Sequence, residues 1–300
     1  MRRPLPIALL LGAAVVCGRP ALAQDGATPE TIAYVDDPHP EQVLDLWWPD
    51  SPPASTVLFV HGGSLWESQE RRTSPVYRDV CRPFLAAGFA CASTDYRLAP
   101  AFQWPAMPLD VAAAVAKVRE IVADRGAEPD RLVLFGHSSG CHLAAILGAN
   151  PVYLEAVGLT PADLAGLVLM GCTLDRYDAA LRGATADRIR EGFRRDSSEV
   201  ARFGSAENWI ASNPAHHLGP HVPPTLVVLG EKERFFPPIL EQGARFVRRL
   251  READVPAEIA VFPGTHRRVV ENLDEPGNPV FEAISAYVED PAAAVGGDRR

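Results

Sequence analysis

One stretch constrains this chain more than any other: Arg131-Leu-Val-Leu-Phe-Gly-His-Ser-Ser-Gly-Cys-His-Leu-Ala-Ala-Ile-Leu-Gly148. Leu132 to Phe135 form a short apolar run, bounded upstream by Pro129-Asp130, as a strand buried on both faces should be. Leu143 to Leu147 continue as a small-residue helical pattern. Between them lies Gly136-His137-Ser138-Ser139-Gly140, a Gly-x-Ser-x-Gly turn joining strand to helix. Such a turn crowds its own backbone, so glycine is needed where a Cβ would clash. It lifts the Ser138 hydroxyl above the sheet, over the first amides of the helix. Those amides, led by Ser139 N–H, suit a developing oxyanion. A Gly/Ser turn that merely joins two elements has the same local signature, so the surroundings must decide.

The surroundings repeat the same alternation. Val43 to Trp48 reads as a strand after a polar leading segment, and Thr56 to Val60 as a buried one. A helix over Pro75–Ala87, a strand over Phe89–Thr94 and an amphipathic helix over Leu109–Ala123 precede the elbow. After it come strands at Leu164–Met170, Thr225–Leu229 and Glu258–Phe262, with helices over Pro238–Ala253 and Val280–Val288. The pattern predicts an α/β fold, a mostly parallel central sheet flanked by helices. Residues 172–221 break it with two short polar helices, around Ala186–Arg195 and Ala206–Ala211, and read as a small lid insertion. The organisation is therefore a leader over 1–23, a domain over 24–290 and a flexible tail over 291–300.

A serine hydroxyl is a weak nucleophile and needs a base, which needs an orienting carboxylate. In this kind of sheet both belong on loops after later strands, in the order serine, acid, histidine. The loop Gly230-Glu231-Lys232-Glu233 and the loop Pro263-Gly264-Thr265-His266 meet that order. His266 is the candidate base and Glu233 the favoured acid, with Asp175 and Glu231 as competitors. His61-Gly62-Gly63-Ser64, directly after a strand, supplies the second oxyanion element, through Gly62, Gly63 and Ser64 beside Ser139. Trp66, Trp209, Phe235 and Phe236 are candidate pocket walls, though each such residue is more often core. His61 and His137 are expected to orient backbone. His216, His217 and His221 lack a carboxylate or cysteine to complete a metal site, and none is predicted.

These motifs, with Asp95-Tyr-Arg-Leu-Ala-Pro100 between them, resemble the α/β-hydrolase superfamily. More narrowly, they resemble the hormone-sensitive-lipase-like esterases and their relatives, including carbohydrate acetyl or feruloyl esterases and kynurenine formamidases. The resemblance covers roughly residues 40–290. It implies an α/β-hydrolase fold, and structural rather than chemical roles for Asp95, Arg97 and Asp110. It also implies a cofactor-independent serine carboxylesterase; the short lid and the absence of a large apolar stretch favour a small, soluble ester with a short acyl group as its partner. An arylformamidase-like amide hydrolase and a non-catalytic binding member of the fold are the alternatives. The chain departs from many such relatives at Ser64, where they carry glycine, and at the acid, where aspartate is commoner.

Composition adds an address. Met1-Arg-Arg, the apolar run Ile7–Val16 and Ala21-Leu-Ala23 read as a signal peptide, too short to span a bilayer. Its loss removes Arg2, Arg3 and Arg19 and no acid, taking the formal charge from −9 to −12. A surface so acidic disfavours nucleic acid and anionic membranes as partners, and the expected location is secreted or periplasmic. Cys81, Cys91, Cys141 and Cys172 remain, in or beside apolar patterns, and buried free thiols are preferred over a bridge.

Overall fold

The computed structural model describes residues 28–67, 69–175, 186–233 and 239–296. The expected leader and the two pocket candidates Phe235 and Phe236 lie outside them. The first half of the chain forms β1 (Glu30–Ala33), β2 (Val43–Trp47), β3 (Thr56–Val60), α1 (Arg82–Ala86), β4 (Ala90–Thr94) and α2 (Ala106–Asp124). It continues through β5 (Leu132–His137), α3 (Ser139–Ala149), α4 (Val152–Glu155) and β6 (Gly166–Met170). Three short helices follow, α5 (Ala186–Arg195), α6 (Ser197–Phe203) and α7 (Ala206–Ala211). The chain closes with β7 (Thr225–Gly230), α8 (Ile239–Glu252), β8 (Ala257–Phe262), α9 (Pro279–Glu289) and α10 (Pro291–Val295).

The strands make one eight-stranded sheet in the order β1-β2-β4-β3-β5-β6-β7-β8. Only β1 and β2 run antiparallel to their neighbours; β4 through β8 are parallel. Every residue of β3, β4, β5, β6 and β7 is buried, which is why their sequences are mostly apolar, with Thr56, Ser93, Thr94, His137 and Thr225 at or next to the strand ends. Side chains alternate between the two faces. Leu58, Val60, Leu132, Leu134 and Leu169 enter the core beneath α2, α3 and α8. Val57, Phe59, Val133, Phe135 and Met170 enter the other, against α1 and α9. On α2 the buried positions Met107, Val111, Ala114, Val115, Val118 and Val122 trace the stripe that helical periodicity requires.

Four expectations need correction. The helix expected over residues 75–87 is a chain of tight turns, with α1 only at its end. The backbone there bends inward, because Tyr77 is drawn under the elbow and Cys81 is bridged to Cys91. The cysteines are not free thiols: Cys81–Cys91 and Cys141–Cys172 are disulfides, with Cα atoms 5.4 and 5.7 Å apart. Burial was legible in their apolar surroundings; pairing depends on how α3 lies across the end of β6. The lid carries a third helix, α6, held by Asp196 accepting from Ser198 N and Glu199 N. Residues 291–295 are not a loose tail, since α10 buries Pro291 and Val295 and is capped by Asp290.

Candidate active site

The loops that follow β3, β5, β6, β7 and β8 all leave the same end of the parallel strands, where such sheets place their sites. Each brings one part. The elbow after β5 holds Ser138 at φ 55° and ψ −122°, a sparsely populated conformation that stores strain. The glycines beside it are obligatory. A Cβ on Gly136 would stand 2.3 Å from Gly140 O, and one on Gly140 only 2.1 Å from Val60 O. Ser138 N–H donates to Met170 O at 2.9 Å, fixing the turn against β6. Ser139 opens α3, so its amide belongs to the first turn, whose N–H groups have no partner within the helix.

The loop after β8 carries His266, and the loop after β7 carries Glu233. His266 Nδ1 lies 3.1 Å from Glu233 Oε2 and 3.3 Å from Oε1, with the Glu233 side chain almost wholly buried. Nδ1–H therefore donates to the carboxylate, and Nε2 is left as the basic nitrogen. The other two acids are elsewhere. Asp175 is buried against Gln242 and Asn213, while Glu231 is exposed beside Lys232. Gly171, after β6, backs the pair: a Cβ there would fall 3.0 Å from His266 Nδ1 and 3.1 Å from Glu233 Oε1.

The loop after β3 is Gly62-Gly63-Ser64-Leu65. Gly63, Ser64 and Leu65 all have positive φ, at 112°, 58° and 59°. Two consecutive non-glycine residues in that region are costly and cluster at functional sites. The strain is held from below. His61 Nδ1 donates to Gly62 O at 2.6 Å, its ring stacks on Tyr96 at 4.5 Å, and its Nε2 is 3.3 Å from Asp95 Oδ1. Arg72 also pairs with Asp95. Burial works to raise the Asp95 carboxyl, but hydrogen bonding and charge from His61 and Arg72 outweigh it and hold it below its ordinary value. Arg97 clasps Asp110 through two guanidinium nitrogens at 2.7 and 2.8 Å. Asp95, Arg97 and Asp110 are thus scaffold.

His137, inside the elbow, is fully buried and joins three of these loops. Tyr77 Oη donates to its Nδ1 at 2.8 Å, and its Nε2–H donates to His266 O at 2.9 Å. Tyr77 Oη in turn abuts Gly62. Burial, aided by the nearby His266, pushes the His137 imidazole down to about 3, so it stays neutral. His217 and His221 each bond a backbone carbonyl, Ala211 O and Ala149 O.

Ser64, Leu65, Ser138, Ser139 and Gly171 line one cavity of about 310 Å³. Its remaining wall includes residues that sequence reasoning missed: His142, Cys172 and Thr173, with Glu199 and Arg202 from α6. Trp66 and Trp209, expected as walls, stand behind these: Arg202 lies 5.4 Å over the Trp66 ring, and Trp209 Nε1 donates to Glu199 Oε2 at 2.8 Å. The available signal was the Glu199/Arg202 spacing of three on a helix, which reads equally well as a solvated ion pair.

A parallel sheet with a strained serine at the strand-to-helix turn, and a histidine–carboxylate pair at the same edge, defines an α/β-hydrolase fold. The family model for that fold matches residues 57–269, and the chain belongs to this family. It is 33% identical to Esterase LipC of Mycobacterium tuberculosis over 227 residues, which are 73% of this chain and 54% of that protein. It is 30% identical to Esterase LipQ of the same organism over 256 residues, 83% of this chain and 59% of the relative. The chain thus spans a little over half the length of either. In three dimensions it is similar to the thermophilic esterase Est2 of Thermogutta terrifontis with butyrate bound, at a TM-score of 0.70 and 20% identity, covering 87% of this chain and 93% of that one.

Proposed function

We propose that this protein is an exported serine carboxylesterase acting on short-acyl esters through Ser138, His266 and Glu233. The observation that carries the reading is the His266–Glu233 pair, packed on Gly171, which lines the same cavity as the strained Ser138. The named activities of LipC and LipQ support it. Ser138 Oγ attacks the ester carbonyl as His266 Nε2 takes its proton, and Glu233 stabilises the resulting imidazolium. The tetrahedral oxyanion is met by the amides of Gly63, Ser64 and Ser139; the Gly62 backbone is taken up by Tyr77. His266 then gives its proton to the departing alcohol. Water, deprotonated by the same imidazole, attacks the acyl-enzyme, and the carboxylic acid leaves with Ser138 restored. A cavity of about 310 Å³ sits at the low end of ligand-site volumes, about 300–1,000 Å³, which favours a small substrate.

The test is hydrolysis of p-nitrophenyl esters from acetyl to palmitoyl, with Ser138→Ala and His266→Ala alongside. Activity that falls with acyl length and vanishes in both variants is expected; activity surviving Ser138→Ala overturns the reading. Export is supported by the leader pattern and by two disulfides, which persist in oxidising compartments. Its check is the N-terminal mass of the mature protein, expected to begin near Gln24.

A further inference from the structure

The cavity wall supplied by α6 is charged, which is unusual for a site that need only hold an alkyl ester. Arg202 Nη1 donates to Glu199 Oε1 at 2.8 Å and to Ser198 Oγ at 3.3 Å. Glu199 Oε2 accepts from Trp209 Nε1, and the guanidinium face rests on Trp66. The pair is braced from both sides and only partly exposed, at 19% and 21% of the side chains. Arg202 Nε is buried and reaches no acceptor among the described residues. The pair carries no net charge, and it brings a carboxylate and a guanidinium to the cavity that Ser64 and Thr173 also line.

We infer that Glu199 and Arg202 select an ester whose alcohol half is a small neutral polyol, with neighbouring hydroxyls that donate to the carboxylate and accept from the guanidinium. The inference rests on the short-acyl esterase reading. A short acyl group has no hydroxyls to offer, so they must come from the alcohol. An anionic alcohol fits less well, because Glu199 already holds the guanidinium and the chain carries a formal charge of −9. An alkyl alcohol would bury the partly exposed ion pair against hydrocarbon, which desolvates both charges without replacing the water they lose.

Three acetates of three-carbon alcohols separate these cases: glyceryl monoacetate, propyl acetate and 3-acetoxypropanoate. For the wild type, kcat/KM for glyceryl monoacetate is expected to exceed that for propyl acetate about tenfold, mainly through KM. Arg202→Met and Glu199→Gln should each bring that ratio close to one, while Arg202→Lys keeps part of it. Because the ratio is taken within one preparation, a partly misfolded variant does not distort it. A wild-type ratio at or below one, a ratio unmoved in both variants, or 3-acetoxypropanoate as best substrate each overturns the inference and leaves the esterase reading intact. Failure of the wild type on every ester, p-nitrophenyl acetate included, removes both.

Discussion

The two disulfides close loops of different length, and this gives a prediction that can be worked through. Cys141–Cys172 spans 31 residues and Cys81–Cys91 spans 10. In the chain-entropy model, opening the first costs about 3.7 kcal/mol and the second about 2.7 kcal/mol. Replacing both cysteines of a bridge by alanine keeps the packing loss comparable, since all four positions are buried. With a urea m-value of about 3 kcal/mol/M, the midpoint should fall by about 1.2 M for Cys141→Ala/Cys172→Ala and about 0.9 M for Cys81→Ala/Cys91→Ala. The first variant should also lose kcat in the folded baseline, because Cys172 follows the Gly171 that backs His266 and Glu233. Urea titrations followed by fluorescence, with a free-thiol count on the denatured wild type, provide the assay. Equal or reversed midpoint shifts, or shifts below about 0.3 M in both variants, would refute the loop-length reasoning.

Two further outcomes follow from the buried polar groups. His137 is held down at about 3 by burial and by His266, against about 6.5 when unfolded. A depressed value means that the unfolded chain binds the proton more readily, so stability is fully present above about pH 6.5 and drains as pH falls towards 3. The loss reaches about 1.4 kcal/mol per pH unit, and Asp95 adds its share below about pH 4. Urea midpoints measured from pH 7 to 4 should show this slope, and His137→Gln should flatten it. A wild-type profile already flat over that range would contradict it. Glu233→Gln should lower kcat by about 10²-fold or more, whereas Asp175→Asn should leave it near wild type. The opposite ranking would move the acid to Asp175.

The sheet was readable because its central strands are buried on both faces, so Thr56–Val60 and Thr225–Leu229 announce themselves as apolar runs. The site was readable because each of its parts sits at a strand end with its own local pattern: the elbow glycines, the His-Gly-Gly loop and the late histidine. What stayed hidden depends on packing between distant segments. No spacing in the sequence says that Cys141 meets Cys172, or that Tyr77 reaches under His137. The short strand Glu30–Ala33 is mostly exposed and has no apolar signature. Nothing in the spacing of Glu199 and Arg202 says that α6 lines the same cavity as Ser138.

The relay from Gly62 through Tyr77 and His137 to the His266 backbone ties the loops of three strands into one body. The lid helix α6 joins that body where Trp104 N–H donates to Arg202 O and Gln103 Nε2 to the carbonyls of Val200 and Ala201, and it seats Phe203 in the core against Trp104. Reactivity and selectivity are therefore carried on separate modules. The exposed positions of α6 and α7 can be randomised, with Phe193, Phe203 and Ala206 kept as buried anchors and Gln103 and Trp104 as the socket, to retune which alcohol is released.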